Sequence, residues 1–289
     1  MALKINIHKL NTNPDIIPPE YSAALDLKNQ WEQELHDVDG EIDMLTSVRY
    51  PGGTTADIDI LVFLDLSNYG ISLPNGAEVD ICKVALILEV KDHPVYKIRK
   101  QGLSYEVQYS SGFKNASSQS FDQMNDLRNY ITSTWSCNNA PFIYNFLWFR
   151  NIQQSDLDSL CGGVQPEKDN ALPSIFTLED LLQRLIAIKP KAVDDYCIVN
   201  SFWKVERDGG PAVQDIVYNF TKVRTIGDHS ELTRKRLDLL AAEKAEEMIQ
   251  QEKLSTDNLT IFKGRAGTGK TIKLLQYAVY LHNQGKYGQ

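Results

Sequence analysis

The stretch Lys83-Val-Ala-Leu-Ile-Leu-Glu-Val-Lys91 is the most informative segment of this chain. Its nearly continuous apolar run is typical of a central strand that is buried on both faces. Only its end is polar, where Glu89 and Lys91 alternate and therefore leave the same face of the strand. The stretch thus predicts an interior strand that carries two ionisable side chains at one end.

The segments around this strand predict a mixed α/β sheet flanked by helices. Branched and apolar runs predict strands at 41–50, 56–64, 104–110 and 142–149. Helical spacing of apolar residues predicts helices at 19–36 and 117–133. We expect the long connection over 67–83 to be a loop.

The second half of the sequence has a different pattern. It predicts a loop over 151–173, a helix over 177–188 with a Thr177 cap, a strand over 196–205 and a long charged helix over 231–251. We expect three regions, namely a first domain over 1–155, a helical linker over 156–254 and the beginning of a further domain over 255–289.

Composition limits the classes of function. The 289 residues are 42% hydrophobic with a formal net charge of -8, so contact with DNA needs a local basic patch or metal ions. Four cysteines without a C-x-x-C pair indicate neither a zinc site nor a disulfide framework. No basic leader precedes an apolar run, and no stretch approaches about 18 apolar residues. We therefore expect a cytoplasmic protein without a membrane partner.

The polar positions on two predicted strands suggest a metal site. Asp57 and Asp59 share a face of one strand, and Asp59 meets Glu89 and Lys91 if the faces of the two strands coincide. Carboxylates gathered in an apolar sheet favour a divalent cation, and oxygen ligands suit Mg²⁺ or Mn²⁺. We expect Asp59 and Glu89 to bind the metal, whose bound water Lys91 would orient or help deprotonate. For Asp57 both metal contact and a supporting role stay open.

The order of helix, Asp59 strand, Glu89-Val90-Lys91 strand and helix resembles the PD-(D/E)xK nucleases. Within them it is similar to the nuclease-related (NERD) domain, which is often joined to helicases. The segments that carry the likeness are 58–62 (Ile-Asp-Ile-Leu-Val) and 86–91 (Leu-Ile-Leu-Glu-Val-Lys). The resemblance covers about residues 19–150. It implies a restriction-endonuclease-like mixed sheet flanked by helices and metal-dependent cleavage of DNA.

The resemblance also implies two further site residues. A glutamine opens the helix after the core strands in NERD domains, and Gln119, followed by Leu127 and Ile131, fits that spacing, with Gln123 as the second candidate. A glutamate on the first helix is also part of the pattern. Glu20 is the first choice for it by its distance from Asp59, although Pro19 stands where the family often has glycine. The later helix glutamates, Glu32 and Glu34, stay open.

A second motif lies near the end of the sequence. Residues 264–271 fit G-x-x-x-x-G-K-[ST], after a predicted strand and before a predicted helix. The segment resembles motif I of superfamily 1 helicases, the first strand-loop-helix of a P-loop NTPase core. Because the rest of a motor does not follow, we expect ATP binding only together with a missing motor region or partner protein. The predicted phosphate-binding residues are Gly264, Gly267, Gly269, Lys270 and Thr271.

The leading hypothesis is the nuclease domain of a nuclease-helicase fusion that acts on DNA in repair or in defence against foreign DNA. One alternative is a non-catalytic nuclease-like module that binds DNA or a partner and is attached to an ATPase. Another is an ATP-dependent regulator with a sensing N-terminal domain. After the Glu89 strand, His93 fits a surface loop better than the site, and Lys97, Arg99 and Lys100 fit phosphate contact or a solvated loop.

Overall fold

The computed structural model describes residues 3–10, 17–50, 57–72, 76, 78–162, 170–188 and 200–222. All of these belong to the first of two compact units, Met1–Lys222, and the second unit is Val223–Gln289. The predicted helix over 231–251 lies outside the described residues. So do the predicted phosphate-binding residues Gly264, Gly267, Gly269, Lys270 and Thr271.

The first unit contains nine strands, six α-helices and one short 3-10 helix, Val95–Lys97, within its described residues. The strands are β1 Lys4–Lys9, β2 Asp39–Val48, β3 Ile58–Ser72, β4 Glu78–Lys91, β5 Ile98–Gln101, β6 Ser104–Tyr109, β7 Gly112–Asn115, β8 Ile143–Phe149 and β9 Ala171–Leu172. The helices are α1 Pro19–Glu34, α2 Ala116–Trp135, α3 Gln154–Cys161, α4 Leu178–Ile188, α5 Trp203–Arg207 and α6 Val213–Thr221.

The main sheet is mixed and has the strand order β1-β2-β3-β4-β8-β9. Its centre is the antiparallel run of β2, β3 and β4, while β1, β8 and β9 each pair in parallel with their neighbours. Strand β4 is therefore an interior strand, and its residues 84–88 are fully buried. This confirms the expectation drawn from its apolar run, because such a strand must be covered on both faces.

Helices cover both faces of the main sheet. On one face α1 contributes Leu27 and Trp31 to a core that also contains apolar residues of α4. On the other face α2 contributes Leu127 and Ile131, which pack with α6 against the alternate residues of β3 and β4. The result is the mixed α/β architecture that the sequence predicts.

A smaller antiparallel sheet, ordered β5-β6-β7, lies between β4 and α2 in the chain. Tyr105 and Val107 of β6 are fully buried and belong to a third core with Leu147 and Phe149 of β8. Asn115, the last residue of β7, caps α2 by accepting a hydrogen bond from the Ser118 N–H at 2.8 Å. The small sheet and the start of α2 are thus joined directly.

The predicted loop over 67–83 is wrong in large part, because both strands extend into it. Strand β3 continues to Ser72 and β4 begins at Glu78, and the register shifts between Asp65 and Tyr69. Ile71 and Ile81 are buried in the first core, so apolar packing supports the longer hairpin. The polar residues between Ile71 and Ile81 interrupt the apolar pattern, so the sequence did not indicate this extension.

Two further predictions in the second half are wrong. The expected loop over 151–173 contains α3, whose Leu157 and Cys161 lie four residues apart and are buried together. Of the expected strand over 196–205, residues 196–199 lie outside the described residues, and residues 203–205 belong to α5, with Phe202 and Val205 buried at helical spacing. Residues of α4 and α6 also pack in the two main cores, so the compact unit extends beyond residue 155 to Lys222.

The structure contains no helix that is both long and apolar enough to span a bilayer among its described residues.

Candidate active site

The pairing of β3 with β4 brings the predicted carboxylates together. Ile60 lies opposite Leu88 in this antiparallel pair, and continuing the register by one residue places Asp59 opposite Glu89. The Asp59 carboxylate accepts a hydrogen bond from the Val90 N–H at 2.7 Å. Asp59 and Glu89 therefore lie on the same face of the sheet, as the alternation of side chains along the two strands predicts.

Glu89 is a buried carboxylate that accepts three side-chain hydrogen bonds. Lys91 Nζ and Gln119 Nε2 both donate to its Oε1, the latter at 2.6 Å, and Gln123 Nε2 donates to its Oε2 at 2.9 Å. Its exposed fraction is only 1%, and that of Gln123 is 0%. Because the two glutamines lie one helical turn apart on α2, this helix holds both carboxylate oxygens at once.

Asp59 has a strongly perturbed protonation equilibrium. Burial raises the pKa of Asp59 well above its usual value, and the facing Glu89 carboxylate raises it further. The ammonium group of Lys91 and the Val90 N–H favour the ionised form, but they do not outweigh these two causes. A divalent cation between the carboxylates would supply the missing positive charge.

The pKa of Lys91 is shifted in the direction that keeps its ammonium group charged. Burial opposes the ammonium form, but the charge and hydrogen bond of Glu89, together with Asp59, raise the pKa of Lys91 above its usual value. An ammonium group that holds its proton this firmly is suited to orient water or phosphate. It is poorly suited to remove a proton in this arrangement.

All five predicted site residues line one open cleft with a volume of about 520 Å³. These are Glu20, Asp59, Glu89, Lys91 and Gln119. Glu20 is close enough to Asp59 to contribute to its raised pKa. Among the other candidates on α1, Glu32 pairs with Lys28, and Glu34 accepts hydrogen bonds from the first N–H groups of α4.

Asp57 also lines the cleft, but its carboxylate is engaged by Arg49. Arg49 Nε donates to Asp57 Oδ1 at 2.5 Å, and Arg49 Nη2 lies 2.5 Å from Oδ2. The Arg49 side chain is 79% exposed. This bidentate ion pair supports the interpretation of Asp57 as a residue with a supporting role beside Asp59 and Glu89.

Sequence reasoning missed Arg49 and Tyr109 as residues of the cleft. Tyr109 ends β6, and its ring lies 4.9 Å from that of His93, centroid to centroid. The ammonium nitrogen of Lys114 on β7 lies 5.3 Å from the Tyr109 centroid. The alternation of Tyr105, Val107 and Tyr109 would have placed Tyr109 on the inner face of β6, but nothing in the sequence orients the small sheet toward the cleft.

The residues of the cleft fit a hard divalent cation with few protein ligands. Over the described parts of the chain, no group of three or more His, Cys, Asp and Glu side chains is arranged to hold a metal. Magnesium is commonly bound by one or two carboxylates, several waters and the phosphate of a substrate. The facing carboxylates of Asp59 and Glu89, with the raised pKa of Asp59, suit this mode of binding.

Comparison with protein-family models, with characterised proteins and with solved structures gave no match for this chain.

Proposed function

We propose that this chain is the nuclease portion of a nuclease-helicase fusion and hydrolyses phosphodiester bonds of DNA with Mg²⁺ or Mn²⁺. The observation that carries the proposal is the pair of facing carboxylates, Asp59 and Glu89, beside Lys91 in one cleft. The fold that the resemblance implies, a PD-(D/E)xK sheet flanked by helices, is part of the same proposal. Its support is the mixed sheet and the order of the site residues along it.

Each side chain has a role in this proposal. Asp59 and Glu89 would hold the metal, which when bound would supply an acidified water and positive charge for the transition state. Lys91 remains protonated and orients the attacking water and the scissile phosphate. Gln119 and Gln123 fix the rotamer of Glu89 through their hydrogen bonds to its two oxygens.

Glu20 and the P-loop have subordinate roles. Glu20 adds negative charge at the cleft. The segment 264–271 would bind ATP phosphates once the remainder of a motor is present. The repair or defence setting is part of the proposal as well.

The test is cleavage of labelled DNA with and without Mg²⁺ or Mn²⁺ by the wild type, Glu89→Ala and Lys91→Ala. Both variants should lose at least about 100-fold in rate, because each removes a group that stabilises the transition state. Their circular dichroism spectra should match that of the wild type. Unchanged cleavage in both variants would overturn the site assignment.

One observation favours a second candidate, a non-catalytic module that binds DNA or a partner. The Glu89 carboxylate is already engaged by three side-chain donors. This candidate predicts that the wild type retains DNA and leaves it intact at every concentration of Mg²⁺ and Mn²⁺. The same cleavage assay separates the two candidates.

A further inference from the structure

We propose that Lys97 and Lys114, placed around the rings of His93 and Tyr109, bind the DNA phosphates that flank the scissile phosphate. We name these four residues the Tyr109 rim. The inference rests on the proposed nuclease function and adds where the flanking part of the substrate lies.

The geometry places the rim at the edge of the cleft. Tyr109 lines the cleft together with Lys91 and also contacts His93, with ring centroids 4.9 Å apart. Lys114 is exposed, and its ammonium nitrogen lies 5.3 Å from the Tyr109 centroid, so the ring holds this cation beside the cleft. Lys97 ends the short turn Val95–Lys97 and lies close enough to His93 to act on it electrostatically.

Charge explains why a strand of DNA fits here. The cleft contains four carboxylates, on Glu20, Asp57, Asp59 and Glu89, and the whole chain has a net charge of -8. A polyanion therefore needs cations beside the cleft to be attracted at all. Neither Lys97 nor Lys114 forms an ion pair with a carboxylate in the described part of the chain, so both are available to phosphate.

The surrounding cations are less suitable for this role. Arg49 is held by Asp57, and Arg99 is paired with Glu106 and stacked on Phe113. Lys100 points inward and contacts Cys161 and the Tyr105 ring. On this side of the cleft Lys114 is exposed and Lys97 is half-buried, and the described carboxylates leave both unpaired.

The rim is also close along the chain to the helix that contacts Glu89. Lys114 immediately precedes Asn115, which caps the helix that carries Gln119 and Gln123. A phosphate bound at Lys114 would therefore lie beside the start of this helix.

The test is the salt dependence of DNA binding by the whole chain, measured by fluorescence anisotropy in Ca²⁺ with a single-stranded oligonucleotide and its duplex. Each phosphate contact contributes about 0.7 (single strand) to 0.9 (duplex) to the slope of log K against log salt. Lys97→Ala and Lys114→Ala should each lower the slope by that amount, and the double variant by about 1.4 to 1.8.

The matched control is Lys204→Ala. Lys204 is an exposed lysine of α5, beside a different cleft that contains Arg128 and Thr132 of α2. Thr132 lies 13 residues beyond Gln119 on this helix, which separates the two by about 20 Å. The control should leave the slope unchanged.

The outcomes separate the rim from the nuclease proposal. A double variant that binds with the wild-type slope would overturn the rim, and so would a Lys204→Ala control that loses as much slope. Cleavage by the wild type in Mg²⁺ would leave the nuclease proposal intact in either case. A wild type that never cleaves, with slopes lowered only in the rim variants, would reject the nuclease and support the rim. Absence of any DNA binding would overturn the rim.

Discussion

Glu89 is the residue on which the chemistry of this cleft depends. Its carboxylate is buried and would be costly to ionise alone, but three donors from Lys91, Gln119 and Gln123 offset that cost. Asp59, which faces it, receives fewer compensating contacts and has a raised pKa. The pair is thus asymmetric, because three side-chain donors contact Glu89 while the pKa of Asp59 is raised.

This asymmetry predicts a pH-dependent cost to stability. Because the pKa of Asp59 is raised on folding, stability falls as the pH rises from the ordinary carboxyl value of about 3.9 through the raised value. Asp59→Asn removes this loss. In EDTA at neutral pH the variant should melt about 2–4 °C above the wild type, and the difference should shrink toward pH 4.

The control for this prediction is Asp57→Asn. Asp57 lies in the same cleft but forms an exposed ion pair with Arg49, and such pairs contribute about 0–1 kcal/mol. It should leave the melting temperature unchanged or lower it slightly. Added Mg²⁺ should stabilise the wild type but not Asp59→Asn. A lower melting temperature for Asp59→Asn in EDTA would contradict the inference that the ionised Asp59 carboxylate destabilises the fold.

The sequence predicted the centre of the site because strand alternation is simple. Once Asp59 and Glu89 are assigned to buried strands, their faces follow from a period of two. Gln119 and Gln123 were candidates only through the family resemblance. Arg49 and Tyr109 come from strand ends whose direction depends on packing between elements. Local patterns in the sequence do not contain that information.

At the scale of elements, α1 and α4 are joined through a carboxylate. Both oxygens of Glu34 accept hydrogen bonds from the Leu178 N–H, at 2.9 and 3.1 Å, and Oε1 also accepts from the Glu179 N–H at 3.4 Å. These are N–H groups that the first turn of a helix leaves without partners. Glu34 therefore acts as a cap supplied from another helix.

Removal of this cap should weaken the packing of α4. Glu34→Ala is expected to reduce the free energy of unfolding by about 1–2 kcal/mol, because it leaves N–H groups of a helix terminus without their charged acceptor. The matched variant is Glu32→Ala, which removes an exposed pair with Lys28 that contributes about 0.3–0.5 kcal/mol. Urea denaturation measures both. Equal losses in the two variants would contradict the capping role.

The elements that the sequence predicted well are those with long apolar or amphipathic patterns. The main helices α1, α2 and α4 begin within one residue of their expected positions, and the expected Thr177–Asp180 capping box is present before α4. The elements it missed are short and partly exposed. Strand β1 buries only Ile5, and β7 buries no residue, so neither has a readable pattern.

At the scale of the whole molecule, the described residues of the cleft lie within the unit Met1–Lys222. The nuclease reading therefore predicts that a chain of residues 1–222 retains metal-dependent cleavage at a rate within about threefold of the full sequence. It also predicts that ATP has no effect on that rate. The physical reason is that the carboxylates, the lysine and both glutamines are supplied by this unit.

A loss of all cleavage by the shorter chain, with its fold intact by circular dichroism, would favour the ATP-dependent regulator instead. In that case cleavage would depend on nucleotide bound by residues 264–271. Stimulation of the full sequence by ATP would point the same way. The comparison thus separates a self-sufficient site from one that depends on nucleotide.

The most direct test of the metal-dependent nuclease is the single-turnover rate of DNA cleavage by the wild type and Glu89→Gln. The substitution keeps the shape of the side chain but removes its charge. The wild type should cleave in Mg²⁺ or Mn²⁺ and not in EDTA, and Glu89→Gln should be at least about 100-fold slower. A wild type that cleaves with neither metal, or a Glu89→Gln variant as fast as the wild type, would contradict the account.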